Sequence, residues 1–349
     1  GEKEEDGCVG RNPMLIKADF RSHFCIVLFW KATSIEASVI SMCRDWTEEK
    51  RVIYSSPFAV PSPEYYGKRS IEIIRVLKSE LEKNHYYMGT SIMLSGIVDI
   101  HRKGILSYPL NIDELTGKKI VSDIVDSGEN AIAIFNDNVI LGFSAMNHFQ
   151  LQQWNILYIH FLTGIGAAYF MKGQVFGDAG GKLTQFGHCI VTPNGKKCSC
   201  GAFGCLEAEI GEIALREEIR KHYGKIEDFT LGEGKYLEWI IKQNGEDTSF
   251  FAAIKKEYIR DLAFAICNAS TMVFPDLILL GGYFYLWGEE FLEELEEEIQ
   301  RTGFSYIMQD LHLQYCKERK EEIQVACADY LFSRYYRFTS RKIEGIHLG

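Results

Sequence analysis

Residues 185–207 read QFGHCIVTPNGKKCSCGAFGCLE and are the most informative segment of the chain. His188 is followed after nine residues by Cys198, then by Cys200, and after four further residues by Cys205. One imidazole and three thiolates form the closed four-ligand set of a structural zinc site. Such a set leaves no position for a metal-bound water, so we expect zinc to shape this segment rather than to perform chemistry. The alternative is a group of unrelated buried or free thiols.

The composition is that of a globular protein with room for two domains. Of the 349 residues 46% are hydrophobic and 25% are charged. The formal net charge of −10 argues against nucleic-acid binding by this polypeptide itself. The sequence contains neither an apolar run of membrane-spanning length nor a secretion signal. Ten cysteines with a single tight group favour metal binding over a disulfide framework. Together, these features lead us to expect a cytoplasmic protein without a membrane partner.

Strand and helix patterns alternate along the chain, which is typical of an α/β protein. The predicted strands cover residues 13–19, 24–43, 91–94, 131–135, 156–162 and 274–280, with one more ending near residue 169. The predicted helices cover residues 68–84, 207–222, 250–273 and 288–301. Open α/β sheets bind ligands outside the carboxyl ends of their strands, and Asn136-Asp137 follows such an end.

Residues 185–207 resemble the signature of the ROK family (repressor, open reading frame and kinase), in which Gly-His precedes Cys-x-Cys-Gly and Gly-Cys-Leu-Glu. The matching segments are Gly187-His188, Cys198–Gly201 and Gly204–Glu207. Further family segments occur in the same order at residues 95–99, 136–137, 163–166 and 275–282. The resemblance covers nearly the whole chain from residue 10. It implies an actin/hexokinase-like (ribonuclease H-like) fold, in which two α/β lobes enclose a cleft.

The resemblance also implies a domain organisation. Residues 14–135 together with about 318–349 would form a small lobe, and residues 136–317 a large lobe with the zinc knuckle. Residues 1–13 would be a linker, because Gly10-Arg11-Asn12-Pro13 resembles the Gly-Arg-Arg-Pro segment that follows the winged helix-turn-helix domain of ROK repressors. The first residue is not methionine, and we expect a DNA-binding domain upstream. The alternative is an accidental turn tetrapeptide.

The ROK sugar contacts carry over to Asn136, Asp137, His188 and Glu207. Asp137 would be the general base of a kinase, or a hydrogen-bond acceptor in a sensor. His188 would bind zinc through one ring nitrogen and the sugar through the other. Gln185 stands where the family usually has Glu, so a sugar can still bind but its preferred identity can change. Without the resemblance, Asp137 is interpreted as a helix cap and Glu207 as a solvated carboxylate of a first helical turn.

The phosphate loop of a ROK kinase departs from its pattern in this chain. The family segment is Asp-x-Gly-Gly-Thr, and the corresponding residues are Phe29–Thr33. Phe29 replaces Asp, and Lys31 and Ala32 replace the glycines. Phosphoryl transfer depends on positioning phosphates and metal, so we expect no functional ATP or magnesium site. Asp19 is the nearby acidic alternative, and it too lacks glycines.

The favoured interpretation is a sugar-responsive transcriptional regulator. The nucleotide-side motifs would be vestigial, because turns need glycine without any nucleotide: Thr163, Gly164, Gly166, Gly281 and Gly282. A small sugar effector would alter the lobe arrangement of a dimer or tetramer, and DNA would be bound through the upstream domain. One alternative is an ATP-dependent sugar kinase with Asp137 as catalytic base. Another is a zinc-containing interaction protein without a ligand.

Overall fold

The computed structural model describes residues 22–32, 34–42, 47–48, 62–81, 83, 85–99, 101–129, 131–224, 235–335 and 346–348. The predicted linker, the predicted strand over residues 13–19, Asp19 and Thr33 lie outside the described residues.

The elements of the first half, in chain order, are β1 His23–Trp30, β2 Ile35–Ser41, β3 Thr47–Glu48, α1 Glu64–Leu81, β4 Tyr86–Leu94, β5 Ile97–Asp99, β6 Gly104–Leu106, α2 Glu114–Asp126, β7 Ile132–Asn136 and α3 Asp137–His148. Those of the second half are β8 Asn155–Phe161, β9 Ile165–Met171, β10 Gln174–Val175, α4 Leu206–Ile210, α5 Glu212–Tyr223, α6 Lys235–Lys242, α7 Thr248–Val273, β11 Leu277–Gly282, α8 Glu289–Thr302, α9 Ser305–Met308, β12 His312–Tyr315, α10 Lys320–Tyr335 and β13 Ile346–Leu348.

Two sheets with the same connectivity form the framework. The first has the strand order β13-β7-β4-β1-β2-β3 and the second the order β10-β9-β8-β11-β12. In each sheet an antiparallel hairpin, β1–β2 or β8–β9, precedes two strands that extend the sheet in parallel. The carboxyl ends of the three parallel strands therefore share one edge in each sheet, which is where such sheets bind ligands.

Strands β1, β2, β4 and β7 of the first sheet are buried on both faces. Phe24, Ile26 and Trp30 of β1 pack on one face with α1 and α2. Cys25 and Val27 on the other face join a core that also contains residues of α3, α10 and the second sheet. Helices α3 and α10 contact each other and lie between the sheets. Because both faces are covered, the central strands are apolar throughout rather than alternating.

Most predicted strands and helices are confirmed, and the differences have local causes. The predicted helix over 207–222 is two helices, because Gly211 is extended with ψ 174° between α4 and α5. The predicted strand over 274–280 starts at Leu277, because Phe274 caps α7 in a left-handed conformation with φ 46°. The predicted strand over 24–43 is the β1–β2 hairpin. Helices α2, α3, α6, α9 and α10 were not predicted.

No helix in the described residues meets the requirements for crossing a membrane. None of these helices combines the length and the apolar character that a bilayer span requires.

Candidate functional site

The four predicted metal ligands lie together, and their ligand atoms are all within 4.8 Å of one another. His188 Nδ1 is 3.5 Å from Cys198 Sγ, and Cys200 Sγ is 3.7 Å from Cys205 Sγ. In a tetrahedral site with zinc–sulfur bonds of about 2.3 Å, two sulfurs are about 3.8 Å apart. The donor atoms and their spacing therefore fit a zinc ion.

The backbone of the knuckle fixes the positions of the thiols. Cys198 N donates to Ala202 O at 2.8 Å, which closes a tight turn around Cys200. Gly204 has φ 73°, and a Cβ there would lie 1.7 Å from Thr192 O, so this turn requires glycine. Cys205 follows this turn directly and is placed by it.

Glu207 is held next to the metal cluster. Helix α4 begins directly after Cys205, which puts Glu207 in its first turn. Glu207 Oε2 accepts a hydrogen bond from Ile165 N at 3.1 Å. Burial raises the pKa of Glu207, while the Ile165 amide and the nearby His188 lower it. One carboxylate oxygen is thus fixed by β9, and Oε1 is the oxygen that would accept from a ligand.

His188 presents its two ring nitrogens in different directions. Nδ1 faces Cys198 in the cluster, so Nε2 is the nitrogen that would meet a ligand. This arrangement lets one ring nitrogen bind a metal ion while the other is available to a second partner.

Asp137 is a buried carboxylate at the start of α3. Its Oδ1 accepts from Asn138 N at 2.8 Å and from Asn138 Nδ2 at 3.1 Å, and Ser95 also hydrogen-bonds to the carboxylate. Burial raises the pKa of Asp137 to about 7, although these hydrogen bonds lower it. A carboxylate of this pKa can accept a hydrogen bond or a proton from a hydroxyl group near neutral pH.

Asn136, rather than Asp137, is the N-cap of α3. Asn136 Oδ1 accepts from Val139 N at 3.2 Å, and Asn136 Nδ2 donates to Gly96 O at 2.7 Å. The cap interpretation thus applies to the neighbour of Asp137 and leaves Asp137 to face the site. The second hydrogen of Asn136 Nδ2 is the one that a ligand would engage.

Gln185 is exposed, and its side chain holds the loop that contains Gly181 next to Asn136. Gln185 Nε2 donates to Gly181 O at 2.6 Å. Gly181 packs directly on the Asn136 amide, since a Cβ at Gly181 would lie 2.4 Å from Asn136 Cγ. Gln185 therefore uses a donor that glutamate lacks, and its Oε1 is the atom that would accept from a ligand.

Two predicted phosphate-loop glycines pack against these side chains. A Cβ on Gly164 would lie 2.2 Å from Glu207 Oε2, and a Cβ on Gly166 would lie 2.3 Å from Asn138 Nδ2. Their glycine identity is thus explained by the carboxylate and amide beside them. Thr163, the first residue of this loop, accepts a weak hydrogen bond from Glu212 N at 3.4 Å through its carbonyl.

Replacing Gly164 with alanine tests this packing. We expect Gly164→Ala to displace the Glu207 carboxylate, to destabilise the protein by about 1–3 kcal/mol and to weaken any ligand that Glu207 binds. Thermal unfolding and ligand titration measure the two effects. Gly245→Ala is the matched control, because a Cβ there meets no atom within 4 Å. Equal unfolding temperatures and equal ligand affinities of the two variants would contradict the predicted contact.

The β1–β2 hairpin, where the resemblance places the kinase phosphate loop, is closed on itself. Lys31 N donates to Ser34 O at 2.8 Å, and Ser34 N donates to Lys31 O at 3.4 Å. The Tyr66 hydroxyl lies 2.8 Å and 3.0 Å from the carbonyl oxygens of Lys31 and Ala32. Lys31 Nζ forms an ion pair with Glu36 at 2.9 Å. Two amides of the turn are therefore used within the hairpin.

Sequence reasoning missed the groups that hold the site residues. Asn138 fixes Asp137, and the amide of Ile165 fixes Glu207. Asn138 directly follows the Asn136-Asp137 motif, and this adjacency is a signal that could have identified it. The Ile165 contact spans 42 residues and leaves no local signal.

Comparison with known proteins identifies the relatives of this chain. The model of the ROK family matches residues 32–323. A xylose repressor of Caldicellulosiruptor bescii is 24% identical over 190 residues, which is 51% of this chain and 46% of the repressor. A glucokinase of Thermotoga maritima is 27% identical over 146 residues, which is 39% of this chain and 45% of the glucokinase. The matches to these relatives thus span about half of their length.

A solved structure of a ROK family transcriptional regulator, described as a homologue of the E. coli MLC protein, has the same fold. It aligns with a TM-score of 0.71 at 19% identity, over 90% of this chain and 81% of that chain. The actin/hexokinase-like fold expected from the sequence is confirmed. Repressors and kinases both occur among the similar proteins, so the fold alone does not separate the two functions.

Proposed function

The chain belongs to the ROK family, and from this premise we propose that it is the sugar-sensing region of a transcriptional regulator. The effector is a hexose or hexose derivative bound by Asn136, Asp137, Gln185, His188 and Glu207. DNA is bound by a winged helix-turn-helix domain upstream of this chain. The single observation that favours a regulator over a kinase is the β1–β2 hairpin, whose turn groups are used in hydrogen bonds within the protein.

That hairpin is unsuited to hold a nucleotide phosphate. A phosphate loop offers free backbone amides and a close approach to the backbone. Here the amides of Lys31 and Ser34 donate within the turn, and Lys31 is paired with Glu36. Without a phosphate position, phosphoryl transfer loses the interactions that lower its barrier.

The sugar site is supported by complementary hydrogen-bonding groups. Carboxylates accept from vicinal hydroxyls, while imidazole and amide groups donate. Glu207 is fixed through one oxygen by a backbone amide, which leaves its other oxygen for the ligand. Asp137 is held through Oδ1 by Asn138 and also hydrogen-bonds to Ser95. The zinc ion would hold His188 and the start of α4, so its role is to orient the site.

A lobe movement is the proposed means of signalling. Asn136 N donates to Ala179 O, and Val98 N donates to Gly180 O, both at 2.9 Å. The first bond joins β7 of the first sheet to the loop that precedes the metal cluster, and the second joins β5 of the separate β5–β6 pair to the same loop. The proposed sugar site therefore lies where the first sheet meets the loop of the metal cluster. A ligand that prefers one arrangement needs a coupling of only about 1–3 kcal/mol. A dimer or tetramer in the cytoplasm would transmit the change to DNA.

The predicted lobe boundaries form part of this proposal. Residues 14–135 with about 318–349 make up the small lobe, and residues 136–317 make up the large lobe. Helix α10 supports this division, because Gln324 Nε2 donates to Ser38 Oγ at 2.6 Å and Ser91 Oγ donates to Cys327 O at 2.8 Å. Strand β13 likewise pairs with β7.

A sugar kinase is the second candidate function. Asp137 favours it, because burial raises the pKa of this carboxylate to about 7, which suits a general base. The kinase would need ATP and magnesium to bind opposite Asp137 despite the closed hairpin.

A paired assay separates the two functions. We expect one or more sugars from a panel of aldoses and N-acetylated hexosamines to stabilise the protein by about 2.7 kcal/mol at 100 times their Kd. We expect no ATP consumption with the same sugars in a coupled assay. Robust turnover would establish the kinase instead. No stabilisation by any sugar, with zinc bound, would favour an interaction protein without a ligand.

A further inference from the structure

Glu318 lies at the ligand-binding edge of the second sheet. The chain leaves β12 and crosses the end of β11, where Cys316 N donates to Leu280 O at 2.9 Å. This crossing places Glu318 over the Gly281-Gly282 turn, at the shared carboxyl edge of β8, β11 and β12. Ligands of open α/β sheets bind outside this edge.

The Glu318 carboxylate fills an anion-binding position at the turn. Gly282 N donates to Glu318 Oε1 at 2.9 Å and to Oε2 at 3.0 Å. The Tyr158 hydroxyl donates to Oε1 from β8. A backbone amide and a hydroxyl thus converge on one negative group, as they do in phosphate sites.

Both glycines of the turn are needed for this approach. A Cβ on Gly281 would lie 2.1 Å from Glu318 Oε1 and 2.4 Å from the Tyr158 hydroxyl. Gly282 has φ 69°, and a Cβ there would lie 2.0 Å from Phe161 O. The turn therefore exposes its amide to an anion at close range, and the protein supplies that anion itself.

The Tyr158 hydroxyl beside the carboxylate is a donor that an anion can use. Tyr158 is fully buried, and burial first, then Glu318, raises its pKa well above the ordinary value, so Tyr158 remains a donor. His160 is buried beside Tyr158, with ring centroids 6.0 Å apart.

We propose that Glu318 is a tethered anion that occupies a phosphate-binding turn and keeps nucleotides and free phosphate out of the second sheet's edge. This inference rests on the proposed regulator function and deepens it. The hairpin would remove one phosphate position at the first sheet, and Glu318 would block a second at the second sheet.

Glu318→Ala vacates the turn and is the direct test. We expect isothermal titration calorimetry to show inorganic phosphate binding about tenfold or more tighter in Glu318→Ala than in the wild type. Glu318→Gln still fills the turn and can accept from Gly282 N, so it should gain no phosphate affinity. Glu321→Ala is the matched control, because it removes the same charge from an exposed position on the same segment. ATP in place of phosphate distinguishes a nucleotide site from a small-anion site.

A gain of affinity for phosphate or ATP in Glu318→Ala alone supports the inference. Equal, weak binding in Glu318→Ala and Glu321→Ala, with both proteins folded, overturns it. Should Glu318→Ala fail to fold, crystals of the wild type grown in phosphate decide the question. A crystal structure in which Glu318 accepts from Gly282 N supports the inference. A crystal structure in which phosphate occupies that position, with Glu318 displaced, overturns it. Either result leaves the sugar and ATP-turnover assays on the wild type as a separate test of the proposed function.

Discussion

Replacing Cys200 with serine is expected to release the zinc ion, to lower the melting temperature by about 10 °C and to abolish sugar binding. Serine removes one of four ligand atoms that lie within 4.8 Å of one another. The remaining imidazole and thiolates would no longer close a tetrahedron, and the knuckle would lose its common anchor. Glu207 follows Cys205 directly, so its carboxylate would lose its position as well.

Metal analysis, thermal unfolding and sugar titration measure the three effects of Cys200→Ser. Cys189→Ser is the matched control, because Cys189 is a half-buried thiol beside His188 that lies outside the four-ligand cluster. We expect Cys189→Ser to keep about one zinc per chain and to bind sugar normally. A Cys200→Ser protein with wild-type zinc content and stability would show that the cluster is not a metal site.

The metal ligands could be predicted from the sequence because they are nearly contiguous. His188 and the three cysteines occupy 18 residues, counting from 188 to 205, and glycines between them permit the required turns. The spacing of these residues in the sequence was therefore almost sufficient to predict the metal ligands. The same holds for Asn136-Asp137, which follows a short apolar strand.

The supporting contacts could not be predicted, because they join distant parts of the chain. Ile165 N reaches Glu207 across 42 residues, and Tyr158 reaches Glu318 across 160. Such pairs depend on how the two sheets and their connections are stacked. A single sequence contains no periodic or local signal for them.

Helix α3 shows why a helix at the site was missed. Eight of its residues are buried on several sides, because the helix lies between the two sheets. A helix covered all round has no polar face, so the 3.6-residue alternation that reveals a surface helix is absent. The start signal was present in Asn136, whose side chain caps the helix.

Asp137→Asn is expected to weaken sugar binding by about 10- to 100-fold, because it replaces a charged acceptor with a neutral amide. The change conserves shape, and the asparagine Oδ1 can still accept from Asn138 N. Sugar titration near pH 8 measures the loss. Asp310→Asn is the control, since it removes the same charge from an exposed position.

The same variant should be more stable than the wild type at high pH. Burial raises the pKa of Asp137 from 3.8 to about 7, so between these values the native state holds a proton that the unfolded state releases. Wild-type stability therefore falls as pH rises through this window, and the full cost of about 2–4 kcal/mol is reached above pH 7. Asp137→Asn removes this cost. Its stability advantage should be near zero at pH 4 and largest above pH 7, as measured by urea unfolding.

A carboxylate that is buried at a cost to stability is typical of a site kept for binding. If burial did not raise the pKa of Asp137, the asparagine variant would gain no stability advantage over the wild type between pH 4 and pH 8. If Asp137 only supported α3, sugar affinity would be unchanged. Loss of affinity together with a pH-dependent gain in stability would place the charged form of Asp137 in contact with the ligand.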